Sequence, residues 1–458
     1  MMLTVPRPFL RAFRDLGRTC VVGRPRGPAP PVTVAHTGDA GVWAVHLDAV
    51  VLTGRVPGPA EPFDPIELPG GLFDAVAGPG DDPVTVAVAG RRAEVRWTDR
   101  GRDRVETVAV TPPGPKPAFP TDPKELSSVP IAFSTALHEA GRTTSREATR
   151  YALDRVQVRG GTGDVMASDG VTVYWHTGFS LPFADAVLVP AVALFGSAEW
   201  AKAATVGVGR TNDHLVVRAG PWTAFLRTAA GRFPDVAAVV PRTPTPTSLA
   251  LDPADAGVLA AGVPTLPGHR DEKRPVTLDL APGRPAVVRG RDEATGDTAE
   301  IVLPRSRVTN GPSRVAVDRA FLIRAIALGC STIRVAGANQ PVVACGDNLT
   351  WLAANLHPDA VVAAAAPVAA LVAATSHPPP ATEARSPMKL PEQNGPARDR
   401  TEPADPGDPL ADAEALRSHL FEATQAAGRL VAVLKSKKKE QRALASVYSS
   451  LKSLNLGP

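Results

Sequence analysis

Short runs of alternating apolar and polar residues dominate the chain from its beginning to about residue 357. Runs such as VTVAVA at 84–89 and HLVVRA at 214–219 are short and rich in β-branched residues, as β-strands are, and Gly, Pro, Asn and Asp separate them. Fewer stretches have helical spacing, and PRPFLRAFRDLG at 6–17 is the clearest. The pattern predicts an α+β fold in which a few helices pack against a large amount of sheet.

Three segments repeat one order of elements: an extended stretch, the start of a helix, and two closely spaced strands. They occupy residues 68–97, 189–220 and 317–347. The helix starts are Pro69, Pro190 and Asp318, and the matching strand residues are Thr85, Thr205 and Thr332. A strand and a further helix precede each segment. A period of about 120 residues is too long for a solenoid unit, so we expect three similar domains in tandem.

The composition divides the chain further. We expect domains over residues 1–126, 127–241 and 242–357. Residues 358–409 are rich in Ala and Pro, which predicts a disordered linker.

Residues 410–458 return to helical spacing, which predicts an amphipathic tail. Its apolar positions are Leu416, Leu420, Ala423, Ala427, Leu430, Leu434, Leu444, Val447, Leu451 and Leu454. The tail could dock on the domains, self-associate, or bring the lysines at 435–439 to nucleic acid, and a solvated charge run is the alternative.

Charge and motifs exclude several classes of protein. A net charge of +4 is too small for a tight, static nucleic-acid binder. The sequence contains no phosphate-binding loop, nucleophile elbow or metal-ligand spacing, so we expect a protein without catalytic activity, cofactor or metal. The three cysteines are too few for a disulfide framework, and we expect buried thiols. No apolar run is long enough to cross a membrane, so we expect a cytoplasmic protein that is not membrane-bound.

The middle of the chain resembles a known family. TRYALDRVQVRGGTGDVMASDGVTVYW at 149–175 and GRFPDVAAVVP at 231–241 are similar to segments of the bacterial DNA sliding clamp, the β subunit of DNA polymerase III. The resemblance covers residues 1 to about 357. It implies a head-to-tail homodimer whose six domains close a ring around double-stranded DNA in the nucleoid, with helices lining the hole. It also implies a processivity factor in DNA replication, opened by a clamp loader, that tethers the polymerase and other proteins carrying a clamp-binding motif.

The resemblance implies DNA-facing residues on the first helices. Arg11, Arg14 and Arg18 lie at i, i+3 and i+7, while Leu10, Phe13 and Leu16 occupy the other sides. The further candidates are Arg24, Tyr151 and the pair Arg142 and Arg146, which are spaced i, i+4 on the expected opening helix of the second domain. An ordinary solvated helix face is the alternative. The first helix of the third domain carries Asp252 and Asp255 instead of basic residues, which departs from a uniformly basic lining.

The resemblance also implies a pocket for partner peptides between the second and third domains. Its lining would be Leu153, Ser168, Val173, Pro234, Val239, Leu352, Ala354 and Leu356. The last strand, WLAANLHP, lacks the methionines usual in the family, so we expect a wider or shallower groove. The alternative is that these residues form the core of a domain junction. A second hypothesis for the whole chain is therefore a clamp-fold scaffold for protein interactions that does not encircle DNA.

Overall fold

The structure is a computed structural model that describes residues 2–23, 27–37, 39–58, 62–114, 119–146, 151–242, 246–268, 274–292, 294–364 and 369–372. Arg24, the helical tail and residues 365–368 and 373–409 of the expected linker lie outside these ranges, so those predictions stay predictions.

Each of the three expected domains is called a repeat below. The first repeat begins with a strand and the longest helix of the described residues. Its elements are β1 (Met2–Val5), α1 (Arg7–Thr19), β2 (Val32–His36), β3 (Ala40–His46), β4 (Val50–Pro57), β5 (Phe63–Leu68), α2 (Leu72–Val76), β6 (Val84–Ala89), β7 (Arg92–Asp99) and β8 (Arg102–Ala109).

The second repeat has the same strand order but one α-helix in its described residues. Its elements are β9 (Ser127–Pro130), α3 (Ala132–Gly141), β10 (Arg155–Arg159), β11 (Asp164–Ser168), β12 (Thr172–His176), β13 (Ala186–Pro190), β14 (Thr205–Arg210), β15 (His214–Ala219) and β16 (Trp222–Arg227). The helix expected after Pro190 is instead two short 3-10 helices, Ala193–Gly196 and Trp200–Lys202. A further 3-10 helix spans Val236–Val239.

The third repeat contains an extra strand, β21, and one late strand, β26. Its elements are β17 (Thr247–Ala250), α4 (Pro253–Gly262), β18 (Pro275–Leu280), β19 (Ala286–Arg291), β20 (Thr298–Leu303), β21 (Arg307–Thr309), β22 (Ser313–Asp318), α5 (Arg319–Ala327), β23 (Thr332–Val335), β24 (Val342–Gly346), β25 (Leu349–Ala353) and β26 (Ala369–Val372). Short 3-10 helices span Val263–Thr265 and Pro358–Ala360.

The strands form four sheets, and two of these sheets join neighbouring repeats. Their strand orders are β1-β6-β7-β8, β5-β2-β3-β4-β16-β15-β14-β9, β13-β10-β11-β12-β25-β24-β23-β17-β21 and β22-β18-β19-β20-β26. Strands β4 and β16 join the first repeat to the second, and β12 and β25 join the second to the third. The two middle sheets are therefore each shared by two repeats, and the predicted α+β architecture is confirmed.

The three threonines of the repeat hold equivalent places. Each lies on the strand that pairs antiparallel with the first strand of its repeat: Thr85 opposite Thr4, Thr205 opposite Pro130, and Thr332 opposite Ala250. Asp318 caps α5 by accepting a hydrogen bond from the Ala320 amide, as its position in the repeat predicts.

The segment interpreted as a linker begins with ordered structure. Residues 369–372 form β26, which pairs with β20, and the Val362 amide donates to the Thr277 hydroxyl at 2.8 Å. The linker prediction is therefore wrong for these residues, because an Ala- and Val-rich run can add to an open sheet edge as readily as it can stay unfolded.

Candidate DNA-facing helices and partner-peptide pocket

Helix α1 buries one side and leaves its arginine stripe outside. Leu10, Phe13 and Leu16 are buried, as the spacing predicts. Each of the three arginines meets a carboxylate: Arg11 contacts Asp81 at 3.5 Å, Arg14 contacts Asp15 at 2.7 Å, and Arg18 contacts Asp74 at 2.6 Å. These nearby acids reduce the positive potential of the stripe, although solvent-exposed pairs are weak and a phosphate could replace the acid.

Arg7 belongs to the buried side of α1, which the sequence analysis missed. Its guanidinium donates to the carbonyl oxygens of Val76 at 2.7 Å and Thr98 at 2.6 Å. Arg319, at the start of α5, likewise donates to the carbonyl oxygens of Leu266 and Pro267. Arg7 lies three residues before Leu10 and so falls on the apolar face of the helix, which was the signal in the sequence for its burial. Both arginines tie a helix to a neighbouring loop, so neither is available to DNA.

The first helix of the second repeat is shifted relative to its prediction. It ends at Gly141, so Arg142 is the C-cap and Arg146 lies beyond the helix. The expected i, i+4 pair on one helix face is therefore wrong. The Arg142 guanidinium lies 3.3 Å from Glu139, and Arg146 is exposed. The Arg142 amide still donates to the His138 carbonyl oxygen, so the helical hydrogen bonding ends at Arg142 and Arg146 follows it outside the helix.

Tyr151 and the acidic helix of the third repeat have local roles. The Arg232 guanidinium lies 5.6 Å from the centre of the Tyr151 ring. Asp252 caps α4 by accepting from the Ala254 amide. Asp255 is fully buried and accepts from the Ser306 amide and hydroxyl, both at 2.7 Å. Asp255 therefore adds no charge to an exposed face, and the expected acidic departure is smaller than the sequence indicates.

The structure brings part of the predicted pocket into one row. Ser168 pairs with Val173 across β11 and β12, and Val173 pairs with Leu352 across β12 and β25. The row therefore crosses the junction of the second and third repeats. Val173 and Leu352 pack in a small buried cluster with three residues absent from the prediction. These are Met166, Val236 and Val343.

A groove lies next to this buried cluster. Its volume is about 380 Å³, and Val343 belongs to both the groove and the cluster. Its lining combines apolar and polar side chains, among them Val240, Pro241, Asn310 and Arg334. None of the predicted pocket residues is among those that line it. A mixed lining of this kind suits a short peptide with an apolar anchor.

The remaining predicted pocket residues surround the row at its ends. Leu153 lies beside Gly170 in the turn between β11 and β12. Pro234 and Val239 flank Val236, and Val239 is half exposed. Ala354 is exposed and its amide donates to Val171, whereas the Leu356 amide donates to Ala316 on β22. Leu356 therefore begins to turn toward the last sheet.

Ser168 organises the turn beside the row. Its hydroxyl donates to the Thr172 carbonyl at 2.8 Å and accepts from the Gly170 amide at 3.1 Å. The Asp169 carboxylate accepts from the amides of Val171 and Thr172. Gly170 has a φ of 91°, which a residue with a Cβ adopts at a cost. The turn is thus held by its own side chains, and this is the Ser-Asp-Gly motif that carried the resemblance.

Titratable groups near the pocket are desolvated. Burial raises the pKa of Tyr174 on β12, with a smaller contribution from Glu139. Burial raises the pKa of Cys330 to about 12, and it raises the pKa of Cys345 as well. Cys20 and Cys330 are buried free thiols, as predicted, whereas Cys345 is half-buried. Neutral groups of this kind suit a packed junction.

Within the described ranges, no group of His, Cys, Asp and Glu is arranged to hold a metal ion. In the same part of the chain, no helix is long and apolar enough to cross a membrane.

The fold is similar to solved bacterial sliding clamps. DNA polymerase III subunit beta from Pseudomonas aeruginosa matches with a TM-score of 0.63 and 19% identity, covering 78% of this chain and 100% of its own. The sliding clamp from C. crescentus matches with a TM-score of 0.64 and 17% identity, covering 78% and 99%. The clamp from Bacillus subtilis matches with a TM-score of 0.66 and 14% identity over the same shares.

Sequence comparisons add nothing to this likeness, since no family model and no curated protein matches the chain. The matched share of the 458 residues, 78%, has the length of the region in which the three repeats were expected. Nearly the whole of each clamp is covered. Over that share this chain therefore has the fold of the bacterial DNA polymerase III beta sliding clamps, at 14–19% sequence identity to the three structures named.

Proposed function

We propose that the protein is a DNA sliding clamp, a non-catalytic processivity factor that encircles duplex DNA as a homodimer. The observation that carries the proposal is the end-to-end joining of three repeats by shared sheets, over the full length of the solved clamps. A second copy joined in the same way would close a ring. The proposal keeps the domain boundaries 1–126, 127–241 and 242–357.

DNA contact would come from α1 and the end of α3, through Arg11, Arg14, Arg18, Arg142 and the nearby Arg146 and Tyr151. Arg24 stays a prediction. A closed ring stays on DNA because it encloses the duplex, so it does not need tight contacts with phosphate. Weak contacts leave the ring free to slide along the DNA. Carboxylates beside Arg11, Arg14 and Arg18 are consistent with weak contact.

Partner proteins would dock in the groove lined by Val343, whose strand neighbour Leu352 belongs to the row of Ser168, Val173 and Leu352. The polymerase, the clamp loader and other clients would each insert an apolar anchor there. The small side chain of Ala354, which is exposed at the end of the row, favours clients with a bulkier anchor.

The second candidate is a clamp-fold scaffold that binds proteins without encircling DNA. One specific observation favours it: the arginines of α1 all have acidic partners, so the helix has little excess positive charge. A scaffold would keep the groove and lose the need for DNA.

Retention on DNA circles separates the two candidates. The full chain is loaded on nicked circular DNA with its clamp loader and ATP, and the DNA is then linearised. A sliding clamp stays on circles and leaves the linear form, because its grip is topological. Equal retention on both forms, or none on either, contradicts encirclement.

A pair of variants at one contact tests the DNA face. Arg18→Ala should weaken binding to duplex DNA in fluorescence anisotropy and reduce the salt slope by about 0.9 for the lost phosphate contact. Asp74→Asn removes the acid 2.6 Å from Arg18 and should strengthen binding. If both variants bind DNA as the unchanged protein does, α1 does not face DNA.

A further inference from the structure

Strand β26 covers the edge of β20 at the end of the last sheet. Ala299 pairs with Ala369, Glu300 with Ala370, and Ile301 with Leu371. Every other strand pair in the described residues is antiparallel, and this pair is parallel. The strand comes from the Ala- and Pro-rich segment in which a disordered linker was expected.

The internal repeat shows what the β20 edge corresponds to. In the first repeat β4 ends the order β5-β2-β3-β4, in the second β12 ends β13-β10-β11-β12, and in the third β20 ends β22-β18-β19-β20. Both β4 and β12 continue into an antiparallel strand of the following repeat. The third repeat has no following repeat among the described residues, and β26 lies there instead.

Among the described residues, the strand that lacks the corresponding partner is β8. It ends the order β1-β6-β7-β8, as β16 ends β9-β14-β15-β16 and β25 ends β17-β23-β24-β25. In the described part of the chain β8 pairs with β7 only, along one of its edges. The repeat therefore matches β20 of one copy with β8 of another.

One strand edge cannot serve both partners. The outward N–H and C=O groups of β20 form a single row, and β26 uses that row along residues 299–302. The side chain of Leu371 adds to the cover: a Cβ placed on Gly262 would lie 3.1 Å from Leu371 Cδ1 and 2.8 Å from Ile301 Cδ1. Leu371 thus lies over the end of α4 while keeping about half of its surface exposed.

We propose that β26 is an intramolecular cap that competes with β8 of a second copy for the edge of β20. This rests on the proposed ring. The chain then has a capped, monomeric state and an uncapped state that can close with a second copy. Only uncapped chains can dimerise, so the apparent affinity of the dimer falls as the fraction of capped chains rises.

The chemistry of β8 fits reversible closure. Strands β16 and β25 at the two internal junctions are almost entirely buried and rich in apolar residues. Strand β8 has the sequence RDRVETVA, and most of its residues are exposed, including Val105. Charged residues keep a free edge soluble. They also make the third junction weaker than the other two, so a short cap is able to compete.

Three forms of the full chain test the cap. Leu371→Asp places a charge against the apolar surface of Gly262 and Ile301, and should tighten the dimer by about tenfold if most chains are capped. Ala363→Asp is the matched control, since Ala363 is exposed and precedes the strand. The pair Ala299→Cys with Ala369→Cys, which are register partners, should lock the cap when oxidised and leave a monomer. Sedimentation velocity over a concentration series measures all three.

Hydrogen exchange identifies the strands. Dimerisation should slow exchange at the amides of β8 and quicken it at those of β26. An unchanged β26 in a dimer whose β8 becomes protected would overturn the competition.

The outcomes separate the cap from the ring. If the unchanged protein, Leu371→Asp and the oxidised pair all dimerise equally, the cap is wrong and the ring stands. If the oxidised pair alone stays monomeric and reductant restores its dimer, both are supported. If no form dimerises at any concentration, the ring itself fails and the cap has nothing to compete with.

Discussion

The guanidinium of Arg324 connects the second and third repeats at the level of single residues. It donates to the carbonyl oxygen of Glu139 at 2.7 Å, to its carboxylate at 3.1 Å and to the Thr143 hydroxyl at 3.1 Å. It also lies 5.0 Å from the centre of the Trp351 ring. Burial is the main reason that its pKa is lowered, and Glu139 opposes that effect. The contact therefore combines charge, hydrogen bonds and an aromatic face in one partly dry site.

Replacing Arg324 should loosen this junction. Arg324→Met leaves the half-buried Glu139 carboxylate without its inner partner, so the free energy of unfolding should fall by about 2–4 kcal/mol. Arg142 contacts the same carboxylate from the solvent side, at 3.3 Å. Arg142→Met is thus a matched control and should cost less than about 1 kcal/mol. Urea denaturation measures both, and equal losses would contradict the assignment of Arg324.

At the level of elements, the first junction depends on a close approach between strands β4 and β16. Gly54 lies opposite Trp222, and a Cβ on Gly54 would lie 2.6 Å from the Trp222 ring and 2.8 Å from the Phe9 ring. Phe9 of α1 stacks on Trp222 with ring centres 4.8 Å apart. The missing side chain is what lets helix α1 and strand β16 share one packed surface.

An added methyl group at Gly54 should disturb that surface. Gly54→Ala is expected to lower the free energy of unfolding by about 1–3 kcal/mol, because neither ring can move without losing its stacking. Gly71 at the start of α2 has open space around its Cα and an ordinary helical φ of −61°. Gly71→Ala should leave stability nearly unchanged. Comparable midpoints for the two variants in thermal denaturation would show that the junction is not tightly packed.

Local signals in the sequence identified whole elements better than their contacts. The apolar spacing predicted α1, and Asp318 predicted the start of α5, because periodicity and caps depend on neighbouring residues. The end of α3 was misplaced, since Arg142 and Arg146 continue a helical spacing that the backbone does not follow. The burial of Asp255 depends on Ser306, far along the chain, and no local pattern reveals such a partner.

The same limit applies to the candidate site. Ser168 and Val173 were expected from the resemblance, because its motif includes the local turn between them, whereas Val343 lines the groove from a strand much later in the chain. Strand β26 was missed because Ala- and Val-rich residues carry no sign of the edge that they join. What could be predicted was therefore the repeat and its motifs, and what could not was the pairing between repeats.

At the level of the whole molecule, several histidines make stability depend on pH. Burial lowers the pKa of His138, His176 and His214. The folded state keeps them neutral, while the unfolded chain takes up protons near the ordinary value of 6.5. Their contribution is complete above that pH and is lost as the pH falls below it toward the lowered folded values.

Urea denaturation between about pH 8 and pH 5 checks this dependence, and replacing the three histidines by glutamine should flatten it. A free energy of unfolding that does not change between pH 8 and pH 5 would contradict the histidine assignment.

Asp279 affects stability at lower pH. Burial alone would raise its pKa, but hydrogen bonds from Arg289 and Arg314 outweigh burial and leave the pKa lowered. Its contribution is therefore present above its ordinary value of 3.8 and lost only as the pH falls through the folded value.

The pairing of each first strand with a late strand sets an order of assembly during synthesis. Strand β1 has no partner until β6 is made and β9 has none until β14, whereas β17 meets β21 before it meets β23. The junction strands β4 and β12 wait longer still, for β16 and β25 of the following repeat. The nascent chain must therefore carry open sheet edges for much of its translation, which makes folding slow and exposes it to mispairing. Strand β26 is the last described strand to leave the ribosome, and its partner β20 has by then already been made in the same chain.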